Sequence, residues 1–155
     1  GYVIGGGFEL AMCADVIVAA DDAQFFIPEV KAGIIGESGI LHRAVRRLPH
    51  HVAMGMILTG DRLPAAKAEQ YGLVNEVVPV DDLATAADRW ATNITACAPA
   101  AVQAAKDATL RGLDMPLDQA LGTRYELIEA YAGTKDQLEG LAAFAEKRKP
   151  VWTGR

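Results

Sequence analysis

Apolar and polar positions change their rhythm along this chain. In the first third the apolar residues fall in short runs. Residues 2–4 read as the end of a strand, 15–20 as a β-branched run suited to a buried strand, and 24–27 as a further short strand closed by Pro28. Gly5-Gly6-Gly7 interrupts the first run, and the period then predicts a short helix over 8–14. Gly33, Gly36 and Gly39 punctuate a loop, with a helix predicted from Ser38 as N-cap to Leu48. Beyond it the pattern is helical. Pro49 opens a helix over 50–58, and Pro64 opens another over 65–71 with Gly72 as C-cap. A last strand is predicted at 74–78. Asp81 or Asp82 caps a helix with Leu83, Ala87, Trp90 and Ile94 on one face. Pro99 opens a helix ending at Gly112, and helices over 116–132 and 135–148 complete the set. The prediction is an α/β fold: a strand-rich front over 1–80 with tight turns, and a helical region over 81–155.

Composition narrows the function classes. The 155 residues are 51% apolar and 23% charged, with a net charge of −5, so a broad nucleic-acid footprint is excluded. The cations gather as Arg43, Arg46 and Arg47, read as a solvated helix face, and as Lys147, Arg148, Lys149 and Arg155, where a small anion such as phosphate could be met. Cys13 and Cys97 have no partner spacing for a disulfide framework or a zinc site. They are expected to pack as small apolar residues in a reducing, cytoplasmic protein. His42, His50 and His51 lack ligand spacing and read as helix-surface residues, so no metal is expected. Trp90 and Trp152 read as packing residues. Residues 1–20 carry Glu9, Asp15 and the glycine triplet, which does not suit a membrane span. The chain starts inside an apolar run without a methionine, so it is expected to lack an N-terminal part of its fold.

Chemistry concentrates around three acids. Glycines between a strand and a helix let the backbone turn with positive φ and let a ligand come close. The first amides of the helix point outward unpaired, at the positive end of its dipole, and Glu9 falls in that first turn. Taken alone, this is an ordinary helix start with an acid that suits the dipole. Pro28-Glu29 places a second carboxylate at a strand-to-loop corner, and Glu37 sits in the next glycine-rich loop; singly, each reads as a loop or capping acid.

Together these segments resemble one family. Gly1-Tyr2, Gly5-Gly6-Gly7-x-Glu9-Leu10-Ala11, Cys13-x-Asp15, Ala23-x-Phe25, Pro28-Glu29 and Gly33-Ile34 are similar to the signature stretch of the enoyl-CoA hydratase/isomerase (crotonase) superfamily. So are Leu58-Thr59-Gly60, Ala65, Ala68 and Gly72-Leu73-Val74-x-x-Val77-Val78, and, near the end, Glu139-Gly140, Ala143-Phe144 and Glu146-Lys147-Arg148. Residues 5–11 and 143–152 also look like carnitinyl-CoA dehydratases of that family. In one loop this chain departs from many hydratases: it reads Gly36-Glu37-Ser38-Gly39-Ile40 where they carry a proline and a double glycine.

The resemblance implies a crotonase-like ββα superhelix with a helical C-terminal trimerisation region, assembled as a homotrimer or a dimer of trimers. It implies that Gly6 gives one N–H of an oxyanion hole, the other donor lying upstream, and that Glu9 and Glu29 are the catalytic acids. Phe144 and Lys147 fall where the last helix meets the adenosine and phosphates of coenzyme A. Glu37 overlies a third acid found in dienoyl-CoA isomerases. The implied activity is hydration of a 2-enoyl-CoA, with no cofactor beyond the CoA thioester substrate. An enoyl-CoA or dienoyl-CoA isomerase, or a non-catalytic acyl-CoA binder, are the alternatives.

Overall fold

The structure is a computed structural model that describes residues 1–155. It divides into two compact units, residues 1–88 and 89–155, with the division inside the helix Leu83–Thr95.

The first unit interleaves short strands and helices: β1 (Tyr2–Ile4), α1 (Gly6–Ala11), β2 (Val18–Ala20), β3 (Gln24–Phe26), α2 (Ile40–Arg47), α3 (His50–Thr59), β4 (Leu63–Pro64), α4 (Ala65–Gln70) and β5 (Glu76–Val78). A 3-10 turn over Pro28–Ala32 follows β3. β1 pairs in parallel with β3 (Val3 opposite Phe25), and β3 pairs antiparallel with β4 (Phe25 opposite Leu63). β2 pairs in parallel with β5, Ala19 opposite Val77. Parallel pairs need a crossover between them, and α1 lies in the crossover from β1 to β3.

The core of this unit is built by Phe8 of α1 and Met12 just past it, Phe25 and Ile27 at β3, and Ile40 and Ala44 of α2, all essentially inaccessible to solvent. The Phe8 and Phe25 rings meet at 5.4 Å between centroids, tilted by 57°. Each large apolar side chain withdrawn from water contributes about 1.5–3 kcal/mol. Both faces of this cluster hold the elements that carry the acids: α1 bears Glu9, and the turn after β3 bears Glu29.

Three sequence expectations are corrected here. The α2 helix begins at Ile40 with Gly39 as cap (φ 108°), not at a Ser38 cap. Residues 116–132 form two helices, α7 (Leu117–Gly122) and α8 (Glu126–Tyr131), because Thr123 and Tyr125 adopt extended backbone between them. Cys13 and Cys97 are exposed rather than packed: each thiol donates to the carbonyl four residues back in its helical turn, at the surface.

The second unit takes over from α5 (Leu83–Thr95) and holds α6 (Pro99–Gly112), α7, α8 and α9 (Lys135–Glu146). Thr134 caps α9 by accepting the Gln137 amide, while the Gln137 side chain accepts the Gly133 amide. Past α9 the chain runs back along the helix. Buried Asp136 accepts from the Thr153 amide (2.7 Å) and hydroxyl (2.9 Å) and from the Gly154 amide (2.9 Å). Glu139 takes a two-pronged bond from Arg148 (2.6 and 2.8 Å) and one from the Val151 amide. The Trp152 indole N–H donates to the Ala96 carbonyl at 2.7 Å. Arg148 holds the Glu139 carboxyl down at about 2, and the Thr153 amide lowers Asp136 against the opposing effect of burial. No helix is long and apolar enough to cross a membrane.

Candidate functional site

Gly5 is the pivot of the site. It is buried, with φ 50° and ψ −123°, a backbone region open mainly to glycine. Its N–H donates to the Phe26 carbonyl (3.3 Å), tying the turn to β3. Its carbonyl accepts from both the Phe8 and Glu9 amides at 2.9 Å, which starts α1. The amides of Gly6 and Gly7 lead that helix, where no intrahelical acceptor exists. Both glycines are exposed, and a Cβ on either would touch nothing within 4 Å.

The two glutamates expected from the sequence stand on different elements, Glu9 on α1 and Glu29 beyond β3. Glu29 stands on the 3-10 turn after β3, where its carbonyl accepts the Ile34 amide at 3.1 Å. Its Oε1 comes so near Gly5 that a Cβ there would lie 2.7 Å away. Only a residue without a side chain admits that approach. Glu29 Oε2 is buried and has no hydrogen-bond partner. Leaving such an atom unsatisfied costs about 1–3 kcal/mol, and polar atoms of this kind recur where a fold serves a reaction rather than its own stability. Beside it opens a cavity of about 450 Å³ with Ile4, Pro28, Ala32 and Ile34 along its apolar wall. Lys31, also at its rim, pairs with Asp61 at 3.4 Å.

Glu9 is only 7% exposed. Its Oε1 accepts the Ser38 amide at 2.8 Å and the Ile40 amide at 3.3 Å. The α2 helix has no cap from its own side chains and no acid in its first turn. Glu9, donated from α1, does both jobs. A carboxylate at a helix N-terminus gains about 0.3–1 kcal/mol from the dipole, so the acid and the helix stabilise each other. The amides of Ser38 and Ile40 were not foreseen from the sequence. The available signal was negative: a helix start with a glycine cap and no local acid needs its donors satisfied from elsewhere.

Glu37 sits on the same loop but is exposed, and it makes none of the bonds that hold Glu9. Phe144 and Lys147 belong to the second unit. Phe144 is 87% exposed on α9, and Lys147 caps that helix in the left-handed region (φ 55°) with its side chain exposed. His42, His50 and His51 are exposed on α2 and α3. Arg43, Arg46 and Arg47 each donate to a main-chain carbonyl, of Ser38, His42 and Ala14. No three His, Cys, Asp or Glu side chains gather as a metal site would require.

The Enoyl-CoA hydratase/isomerase family matches residues 1–155. A probable enoyl-CoA hydratase of Mycobacterium tuberculosis is 44% identical over 155 residues, which is all of this chain and 60% of that protein. A carnitinyl-CoA dehydratase of Salmonella agona is 41% identical over 161 residues, covering 61% of its length. Among solved structures, a candidate short chain enoyl-CoA hydratase from Novosphingobium aromaticivorans superposes with a TM-score of 0.95 at 61% identity, covering all of this chain and 61% of that one. The enoyl-CoA hydratase of Bacillus anthracis gives 0.95 at 38% identity, with 60% of its chain covered. The chain thus spans about 60% of the length of the relatives it matches. With the glycine turn and both acids standing on a fold shared from first residue to last, this chain belongs to the enoyl-CoA hydratase/isomerase family and has its crotonase fold.

Proposed function

We propose that the protein is an enoyl-CoA hydratase, adding water reversibly and with syn geometry to the double bond of a 2-enoyl-CoA. The observation that carries this reading is the unpartnered, buried Oε2 of Glu29 at the wall of an apolar cavity, on a carboxyl pressed against Gly5. A carboxyl that bonds nothing in its own fold is free to serve a substrate.

In this reading the thioester carbonyl receives the Gly6 amide at the head of α1. Water attacks C3 and the π electrons of the C2–C3 bond move toward the carbonyl oxygen, which becomes an enolate oxygen. An amide aimed at that developing charge contributes about 2.7–4 kcal/mol. Glu9, fixed by two main-chain donors, orients the water and takes its proton. Glu29 gives a proton to C2 as the enolate collapses, leaving a 3-hydroxyacyl thioester. Acid–base help of this kind contributes roughly 10²–10⁴ in rate. CoA arrives on the substrate, and the reaction needs no cofactor of the protein's own. Nothing in the geometry favours the isomerase reading, whose third acid, Glu37, is exposed.

The exposed Phe144 and Lys147 suit the adenine and phosphates of CoA: one offers an aromatic face, the other a cation. The second unit leaves Leu113, Leu117, Leu121, Leu138 and Leu141 at 60% exposure or more, which supports an assembly of identical subunits, a trimer or a pair of trimers, covering them. Two free thiols suit a reducing, cytoplasmic setting.

The test is turnover by the complete protein on crotonyl-CoA against 3-enoyl- and dienoyl-CoA. Hydration of the 2-enoyl thioester is expected, with Glu9→Gln and Glu29→Gln each lowering kcat by about 10²–10⁴ while the fold is kept. Turnover near wild type in either variant would remove that residue from the mechanism, and double-bond migration without hydration would replace the reading.

A further inference from the structure

The loop that departs from many hydratases packs in a way that explains the departure. Gly36 is buried, yet it is not among the glycines with positive φ, so its backbone would accept any residue. Gly39, three positions on, has φ 108° and needs glycine for its torsion. At Gly36 the demand is for space. A Cβ there would overlap the Cγ2 methyl of Ile40 and stand 3.3 Å from Glu9 Oε1, closer than ordinary contact allows. Ile40 itself is fully buried, and its amide is one of the two that hold Glu9. The space that a side chain at 36 would fill is occupied from the other side of the loop, by the branched side chain at 40.

We propose that Gly36 and Ile40 are an interlocking pair of positioning residues that set where the Glu9 carboxylate stands. The proposal rests on Glu9 taking part in hydration. Neither residue touches the reacting atoms. Gly36 leaves room for the Cγ2 branch, the branch keeps Ile40 seated at the start of α2, and the seated amides of Ser38 and Ile40 fix Glu9 Oε1. In such close packing, one added methyl has nowhere to go except into Ile40 or the carboxylate.

The test uses Gly36→Ala, Ile40→Leu and the double variant in the complete protein. Leucine keeps the volume of isoleucine but removes the branch at Cβ, so it clears the space that an alanine at 36 would take. Gly36→Ala alone is expected to lower kcat by about 10- to 100-fold, as a misplacement near 1 Å does, with KM within about twofold. Ile40→Leu alone, which loses the branch that seats Ile40, is expected to lower kcat by less than Gly36→Ala does, and the double variant to recover most of the kcat lost in Gly36→Ala. A purely structural role would lower the yield or stability of Gly36→Ala without this split between kcat and KM. Crystal structures of the variants report on the pair independently of turnover. They are expected to show Glu9 Oε1 off the Ser38 and Ile40 amides in Gly36→Ala, and back on them in the double variant. Wild-type turnover of Gly36→Ala, an undisplaced Glu9, or a double variant that folds or works no better than Gly36→Ala overturns the pairing. A wild-type protein that hydrates no acyl-CoA overturns the functional reading instead, and the crystallographic outcome still decides the pair.

Discussion

The Ser38 amide donates a 2.8 Å hydrogen bond to Glu9 Oε1 across 29 positions of sequence. This bond makes Glu9 a part of the fold as well as of the site, and the two roles can be separated. Glu9→Gln retains a carbonyl oxygen for the Ser38 and Ile40 amides, so its urea midpoint is expected to stay close to wild type. Glu9→Ala strips α2 of its cap and is expected to be less stable by about 1 kcal/mol from that loss alone. Equal stability of the two variants would show that the bond contributes nothing to α2.

The Gly6 amide can be tested without touching a side chain. Gly6→Ala adds a Cβ that meets nothing within 4 Å at a position without positive φ, so activity within about twofold of wild type is expected. Gly6→Pro also suits the first position of a helix, but it removes the N–H. A fall in kcat of about 10²–10³ is expected for proline and not for alanine, the size of a lost oxyanion donor. If proline is tolerated as well as alanine, the Gly6 amide is not a donor to the thioester.

The segment after α9 should respond to acid. Arg148 holds the Glu139 carboxyl at about 2, below its ordinary 4.5, and the Thr153 amide lowers Asp136 from 3.8. A carboxyl lowered in the folded state stabilises that state above its unfolded value. The contribution is then lost as pH falls toward the folded value. Release of the tail is therefore expected below about pH 4.5, most of it between there and pH 2. Trp152 fluorescence, read in a Trp90→Phe background, follows it through the loss of the indole bond to Ala96. Arg148 is exposed enough for solvent to weaken its pair, so the Asp136 bonds are expected to let go last. A fluorescence signal flat from pH 7 to 2 would contradict this.

What could be read from the chain was what local chemistry determines. The glycine turn before Glu9, the strand closed by Pro28, and the proline or glycine boundaries of α3, α4 and α6 all follow from residue types whose torsions are restricted. The family resemblance singled out Glu9 and Glu29 together as candidates, which no spacing rule would have done. Contacts between distant parts of the chain stayed hidden. Ser38 looks like a cap because serine favours that role, but the cap of α2 comes from Glu9. The break between α7 and α8 comes directly after Gly122, but the helical period was read straight through it. The cysteines were judged by average burial, whereas both fall in exposed turns just past the ends of α1 and α5.

Two of the three strand pairs of the first unit are nested in sequence: β3 joins β4 from 63–64, and β2, which precedes β3, joins β5 from 76–78. A ribosome delivers these partners in the wrong order for early closure. β2 cannot pair with β5 until more than fifty further residues have followed it, while the inner pair can already close. Loops of that length slow the search for native contacts. The nascent chain therefore passes through a stage in which the glycine turn before α1 can be complete while the β2–β5 pair is still open, and such unpaired strand edges are open to a chaperone or to an aggregating neighbour.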